Sequence, residues 1–227
     1  FYGDLMRQGS NLVPRVLLVV NELPVPAMGL PAGQVRVESR RTNDERPPWR
    51  DLASLSGVVE RQFVRRIHLG ETLMPFRLLD PLLAVVPMVD RTVLEANSPE
   101  IDEYPNLAAW WRRAEQVWSQ NKSENTRLTL GGQINYQNKL ANQYPPSDVR
   151  VIYTGRGSRV AAAVETDPHT IVDHALYWAP VGSLDEGRYL VALLNSDVLH
   201  SRVEDFYSRG QFGARNIHKA AFGVNIP

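Results

Sequence analysis

Along the first hundred positions, apolar residues come in short β-branched runs separated by proline and glycine. Residues 11–20 (NLVPRVLLVV) and 34–40 (QVRVESR) read as strands, the second with clean period-two alternation. The intervening LPVPAMGLPAG holds three prolines and two glycines and reads as a loop. Residues 58–66 (VVERQFVRR) suit a strand better than a short helix. Residues 82–89 form a further strand that Pro87 confines to an edge or a bulge. After Pro105 the period changes. Leu107, Trp110, Trp111, Ala114, Val117 and Trp118 follow helical spacing and predict a helix over about 105–121.

A polar stretch, SQNKSENTRLTLGGQINYQNK, comes next and reads as a linker or an ordered loop. Residues 149–154 and 159–164 flank Gly-Arg-Gly-Ser, a hairpin signal, and 175–181 reads as another strand. Ser183 and Glu186 have capping-box spacing and predict a helix through Leu194. Asn195-Ser196 would break that helix before a second one heading toward Phe206. The expected fold is α+β: two β-rich lobes, 1–104 and 122–227, with a tryptophan-rich helix (105–121) between them and a long capped helix near the C-terminus.

Composition narrows the class. At 227 residues, 43% hydrophobic and 22% charged, the chain can bury a core, so a wholly disordered or coiled-coil chain is excluded. Without cysteine there is no disulfide, thiolate chemistry or Cys-ligated zinc, which fits a cytoplasmic protein. The longest apolar run, 78–89, is interrupted by Asp80, Pro81 and Pro87 and is too short to span a bilayer, so no membrane partner is expected. The chain opens on Phe1 with no initiator methionine, and is read as an excised fragment.

Charge changes the picture locally rather than globally. Twenty-five cations balance twenty-five acids, which argues against non-specific coating of nucleic acid. Yet residues 80–103 hold six acids against one arginine, and 160–186 hold five acids and no cation. Residues 149–164 around the hairpin carry Arg150, Arg156 and Arg159 with no acid, and the stretch after Asp205 carries Arg209, Arg215 and Lys219 with none. Such segments suit a one-faced polyanion binder or an ordinary solvated surface. Only three cations are lysines. The arginine bias reflects either genome composition or a need for bidentate phosphate and guanine contacts.

Catalytic signatures are missing. There is no Gly-x-Ser-x-Gly elbow, no Walker loop and no glycine-rich nucleotide loop after a strand. The residues two before Lys122, Lys139 and Lys219 are Gln120, Gln137 and Ile217, so an acid-x-Lys nuclease centre is excluded. Transfer to an adenine amino group uses (Asn/Asp/Ser)-Pro-Pro-(Tyr/Phe), and neither Arg46-Pro47-Pro48-Trp49 nor Tyr144-Pro145-Pro146-Ser147 fits. Asp167, His169, Asp173 and His174 could ligate a metal or form a polar turn, and no third ligand is placed by spacing, so no metal is assigned. Trp110, Trp111 and Trp118 could stack bases but lie on the apolar stripe of their helix, where core packing is the simpler role.

Several segments in order carry a resemblance: RQGSNLVPR, SGVVERQF, YPNLAAWWRRAEQVW, INYQNKL, the run from VRVIYTGRGSRVAAAV through DHALYWAPV to EGRYLVALLNS, and the closing RGQFGARNIHKAAFGVNIP. Together they resemble the C-terminal target-recognition region of bacterial adenine-specific DNA methyltransferases of the restriction–modification type, the TaqI-like specificity family. The resemblance covers most of the chain and is strongest from Asn135 onward. It implies a non-catalytic, DNA-reading part of a modular enzyme whose upstream domain binds S-adenosylmethionine, with magnesium a further candidate for the parent enzyme; the sequence leaves the oligomeric state open, a monomer being favoured. Its partners would be double-stranded DNA and that upstream methyltransferase domain.

On this pattern the closing loop faces DNA. It offers Arg209, Gln211, Arg215, Asn216 and Lys219, with Gly210 and Gly213 allowing close backbone approach or merely a tight turn. Arg156 and Arg159 flank Gly157 and could straddle a groove or contact phosphates, or mark only an exposed hairpin tip. Asn135 and Lys139 are weaker candidates beside Tyr136, which could be core. Arg15 suits DNA contact and a structural ion pair equally. A rival reading is a protein–protein docking module, resting on neutral net charge and on tryptophan and arginine content.

Overall fold

The computed structural model describes residues 2–25, 29–42, 45–157, 159–203, 208–209 and 215–216. The fold is α+β, and its contacts divide the chain into two compact units. The first unit comprises Phe1–Gly9, Ile67–Pro81 and Pro145–Pro227, the second Ser10–Arg66 and Leu82–Tyr144. The expected division into 1–104 and 122–227 therefore does not describe it. The tryptophan helix lies inside the second unit instead of between lobes, and the polar stretch after it belongs to the same unit.

In the second unit the sheet runs in the order Val64–His68, whose last two residues count with the first unit, then Leu82–Val85, Val19–Glu22, Gln34–Ser39, Ser56–Glu60. Val20 pairs with Leu83 on one side and Ser39 on the other, and Val35 pairs with Val59, all antiparallel. The strand expected over 11–20 is half helical. Arg15–Leu18 makes one helical turn that starts after Pro14, whose fixed φ suits a helix start, and the strand begins only at Val19. The run 58–66 is a strand interrupted by a tight turn at Arg61–Phe63. Pro87 breaks 82–89 as expected, but Leu82–Val85 sits inside the sheet rather than at its edge.

The helix Pro105–Asn121 buries Leu107, Ala108, Trp110, Trp111, Ala114 and Trp118, so its tryptophans are core. Gly57 leaves room for the Trp110 ring, 3.6 Å from where a Cβ would stand. Tyr104 offers no side-chain cap to this helix. The Glu60 carboxylate takes that place, accepting from the backbone N–H groups of Asn106 and Leu107 at 3.0 and 2.8 Å. The polar stretch is ordered by similar means. Thr129 caps Leu130–Ile134 through Gly132 N–H, and Glu115 accepts from Leu130 N–H at 2.7 Å.

The first unit is built on a sheet in the order Arg7–Gln8, Leu176–Pro180, Arg150–Thr154, Ala162–Glu165, antiparallel throughout. Both faces are covered. Val151, Tyr153 and Ala179 pack with Leu190, Val191 and Leu194, while Ile152, Ala163 and Trp178 pack with Leu73 and Val172. Burial on both sides explains why these strands read as continuous apolar runs. Ile171–Val172 runs parallel to the end of the 64–68 strand, pairing with Ile67 and His68.

Ser183 caps Leu184–Leu194 by accepting from Glu186 N–H at 3.1 Å, while the Glu186 carboxylate accepts from Gly182 N–H at 2.6 Å. At eleven residues this helix is of ordinary length, not long, and Asn195-Ser196 separates it from Asp197–Val203. Among the described residues no helix is long and apolar enough to cross a membrane.

Candidate nucleic-acid interface

The two hairpin strands pair from Arg150↔Glu165 to Tyr153↔Ala162, so the connection spans 155–161 and is longer than the two-residue turn its Gly-Arg-Gly-Ser suggests. Gly157 has φ +136°, a conformation open mainly to glycine. Arg156, just before it, is exposed and makes no hydrogen bond or ion pair among the described residues. Its charge is felt at Tyr177: burial pushes that phenol up, and the Arg156 guanidinium works against the rise. Arg159 is also exposed but not unopposed, since Asp197 lies 2.8 Å away. With the two side chains 66% and 83% exposed, that pair is worth little and readily exchanges for another anion.

Arg150 is not a surface cation at all. It is buried, and its Nη2 donates to the carbonyls of Asp167 and Thr170 at 2.8 and 2.7 Å, tying the following turn to the sheet. In that turn Asp167 accepts from His169 N–H, and the buried Asp173 accepts from Ala175 N–H with His174 Nδ1 at 3.0 Å. Among the described residues no three His, Asp or Glu side chains gather to hold a metal ion.

In the closing segment, Ser208–Arg209 pairs antiparallel with Arg215–Asn216, in the register Arg209↔Arg215 and Ser208↔Asn216. The two arginines are thus direct cross-strand partners. Gln211, Lys219, Gly210 and Gly213 lie outside the described residues.

In the second unit Asn135 is a structural residue, its Oδ1 accepting from Ala141 N–H at 3.0 Å. Tyr136 is 46% exposed and therefore not core, with Lys139 Nζ 5.8 Å from its ring centroid. The next two residues, Gln137 and Asn138, have φ of 56° and 58°, an uncommon left-handed pair that turns the chain at the surface. Beside this turn, Asn11, Asn125, Thr126, Arg127, Gln133 and Tyr136 line a concavity of about 300 Å³. Sequence reasoning passed over Asn125, Arg127 and Gln133 because a polar, apolar-poor stretch reads as linker. Their signal was the residue types themselves, the amides and guanidinium that match base edges.

Arg15 opens its helical turn and makes no ion pair among the described residues. With Pro14, Thr42, Glu45, Arg46 and Trp49 it lines a second cleft of about 440 Å³. The Arg-Pro-Pro-Trp segment, set aside as a catalytic loop, supplies one wall. Compared with known proteins, the chain matches no family model and no curated protein.

Proposed function

We infer that this chain is the DNA-binding specificity region of an S-adenosylmethionine-dependent, adenine-specific DNA methyltransferase of restriction–modification type. It would position duplex DNA in the cytoplasm for methyl transfer by a catalytic domain outside this chain. The observation that carries the reading is convergence. Asn11 comes from the RQGSNLVPR segment and Gln133 and Tyr136 from around INYQNKL, more than a hundred positions apart. They line one concavity with Asn125, Thr126 and Arg127.

Amide, hydroxyl and guanidinium groups on a concave surface can pair with base edges and phosphate oxygens. The exposed Arg156 and the cross-strand Arg209 and Arg215 add charge suited to phosphates. S-adenosylmethionine, and magnesium if the parent enzyme uses it, belong to that enzyme's other parts. The test is equilibrium binding of a labelled duplex of random sequence against its preferred site, once selected from a library. Arg127→Ala with Gln133→Ala should reduce the preference by about tenfold or more. Unchanged preference in that variant would remove this surface from the reading.

A docking module is the second reading, favoured by one feature of the first unit. The tight hairpin joining Leu73–Met74 to Arg77–Leu78 exposes Met74 (49%) and Phe76 (64%) at its tip. Phe76 has φ 63°, and its N–H donates to Ala162 O at 2.8 Å. An aromatic held outward in this way suits contact with another protein domain. Phe76→Ala would then weaken association with the catalytic domain while leaving duplex binding unchanged.

A further inference from the structure

The 440 Å³ cleft beside Arg15 has buried polar atoms in its wall that make no hydrogen bond among the described residues. They are the Thr42 hydroxyl and both Glu45 carboxylate oxygens, which accept no hydrogen bond from the described residues. The Glu45 side chain is 5% exposed, and Arg41 Nη2 lies 2.8 Å from Oε2 as a counter-charge in a direction that makes no hydrogen bond. Arg41 is itself committed to the carbonyls of Trp49, Arg50 and Leu52, which fixes the far wall. Buried acceptors are normally paired, and a carboxylate left without donors in the wall of an open cleft is set up to receive them from a ligand.

The charge balance selects the ligand. Arg41 already compensates Glu45, and Arg15 and Arg46 on the rim add two positive charges without partners among the described residues. A metal ion or a basic side chain would meet net repulsion. A ligand with a neutral N–H donor at one end and an anionic group at the other meets attraction at both. The apolar part of the lining is Val13, Pro14, Pro47 and the Trp49 indole. Trp49 is held against Trp118 with centroids 5.5 Å apart and planes 14° from parallel, and Trp118 Nε1 donates to Leu128 O at 3.0 Å. The volume lies in the range of small-molecule pockets, about 300–1,000 Å³.

We propose that this cleft receives one unstacked nucleotide whose base carries an exocyclic amino group. Glu45 accepts from the amine, Thr42 makes a second hydrogen bond, Trp49 and Pro14 contact the ring, and Arg15 and Arg46 hold the phosphate. This deepens the nucleic-acid reading by naming what a site on the second unit takes. Thymine, which presents oxygen where cytosine presents nitrogen, would leave the carboxylate facing an acceptor and is excluded.

The test uses single-stranded trinucleotides of sequence TXT, with X cytosine, adenine, guanine or thymine. Binding is followed by the indole N–H signal that Trp49→Phe removes. At least one amino-bearing trinucleotide should bind about tenfold or more tighter than the all-thymine one. Glu45→Gln should erase most of that difference, and Thr42→Val should weaken the preferred ligand without unfolding the chain, as circular dichroism would report. Equal affinity for all four, absence of any shift at Trp49, or an unchanged preference in Glu45→Gln overturns the proposal. Duplex binding measured in parallel separates the two ideas. Trinucleotide binding without duplex binding leaves the cleft standing and removes the DNA-specificity reading. Duplex binding without any trinucleotide response does the reverse.

Discussion

His68 Nε2 lies 2.7 Å from Glu165 Oε2, with both side chains buried in the first unit. The other ring nitrogen, Nδ1, is 2.9 Å from the Thr72 hydroxyl, which donates to Leu69 O at 2.9 Å. With Glu165 ionised, its carboxylate can only accept, so the Nε2 N–H donates to it. The pair joins the strand Val64–His68 to Ala162–Glu165, two elements that are distant in sequence.

Acidification should therefore weaken the first unit. Burial alone would raise the Glu165 carboxyl. The His68 hydrogen bond, the Asp167 N–H and the charges of His68 and Arg150 together outweigh it and hold the carboxyl below its ordinary 4.5. A carboxyl lower in the folded than in the unfolded state adds stability that is fully present above the unfolded value. That stability is lost as pH falls through the folded value. Urea unfolding near neutral pH should show Glu165→Gln less stable by about 1–3 kcal/mol. The deficit should shrink as pH drops below 4.5. A deficit that persists undiminished in acid would contradict the ion-pair account.

Gly9→Ala should be strongly destabilising. A Cβ at Gly9 would collide with the backbone carbonyls of Val172 and Asp173, and backbone cannot swing aside as a flexible side chain can. The Gly9 N–H also donates to Leu176 O at 3.0 Å, so moving the strand would break its pairing. The expected loss is roughly 2–4 kcal/mol, read as a lower thermal midpoint. A midpoint equal to wild type would show that Gly9 does not pack against Val172 and Asp173 as described.

Glu60→Ala should loosen the tryptophan helix. It removes the carboxylate that accepts from Asn106 N–H, Asn106 Nδ2 and Leu107 N–H, at a helix end with no side-chain cap of its own. Losing a cap of this kind costs about 1–2 kcal/mol. Hydrogen exchange of the first helical turn should speed up accordingly, and unchanged protection would argue that the cap is redundant.

The elements most legible in the sequence were those specified locally. The stripe from Leu107 to Trp118 needs only its own periodicity to be read as a buried helix face, and Ser183 announces the helix after it. What escaped depends on partners far along the chain. Arg7–Gln8 pairs with Tyr177 and Trp178, and Ile171–Val172 with Ile67 and His68. No window around either strand reveals such pairing, which brings three separate stretches of chain into the first unit. Site residues followed the same rule. Arg150 was grouped with surface cations because nothing local shows that the carbonyls of Asp167 and Thr170 would receive it in the interior. Arg127 and Gln133 were hidden because apolar-poor sequence looks the same whether it forms a linker or an ordered concave surface.

Arg156 and Arg159 should separate in their effects on stability and binding. Arg159→Ala removes a solvent-exposed ion pair with Asp197 and should change stability by no more than about 1 kcal/mol. Arg156→Ala removes no bond at all within the described residues and should leave stability unchanged. Both substitutions should weaken duplex binding, with Arg156→Ala losing more because Arg159 must first leave Asp197. Isothermal unfolding and duplex titration of the two variants check this, and a larger binding loss for Arg159→Ala would reverse the assignment.

The central claim is that this chain grips duplex DNA through its arginine-bearing segments, and a salt series tests it most directly. Binding of a duplex of about 30 base pairs should weaken with salt by roughly −0.9 in log affinity per unit log salt for each phosphate contact. Replacing Arg156, Arg159, Arg209 and Arg215 together by alanine should lower affinity and flatten that slope by roughly three to four units. A quadruple variant with wild-type affinity and an unchanged slope, or a wild-type chain that binds no duplex at low salt, would contradict the account.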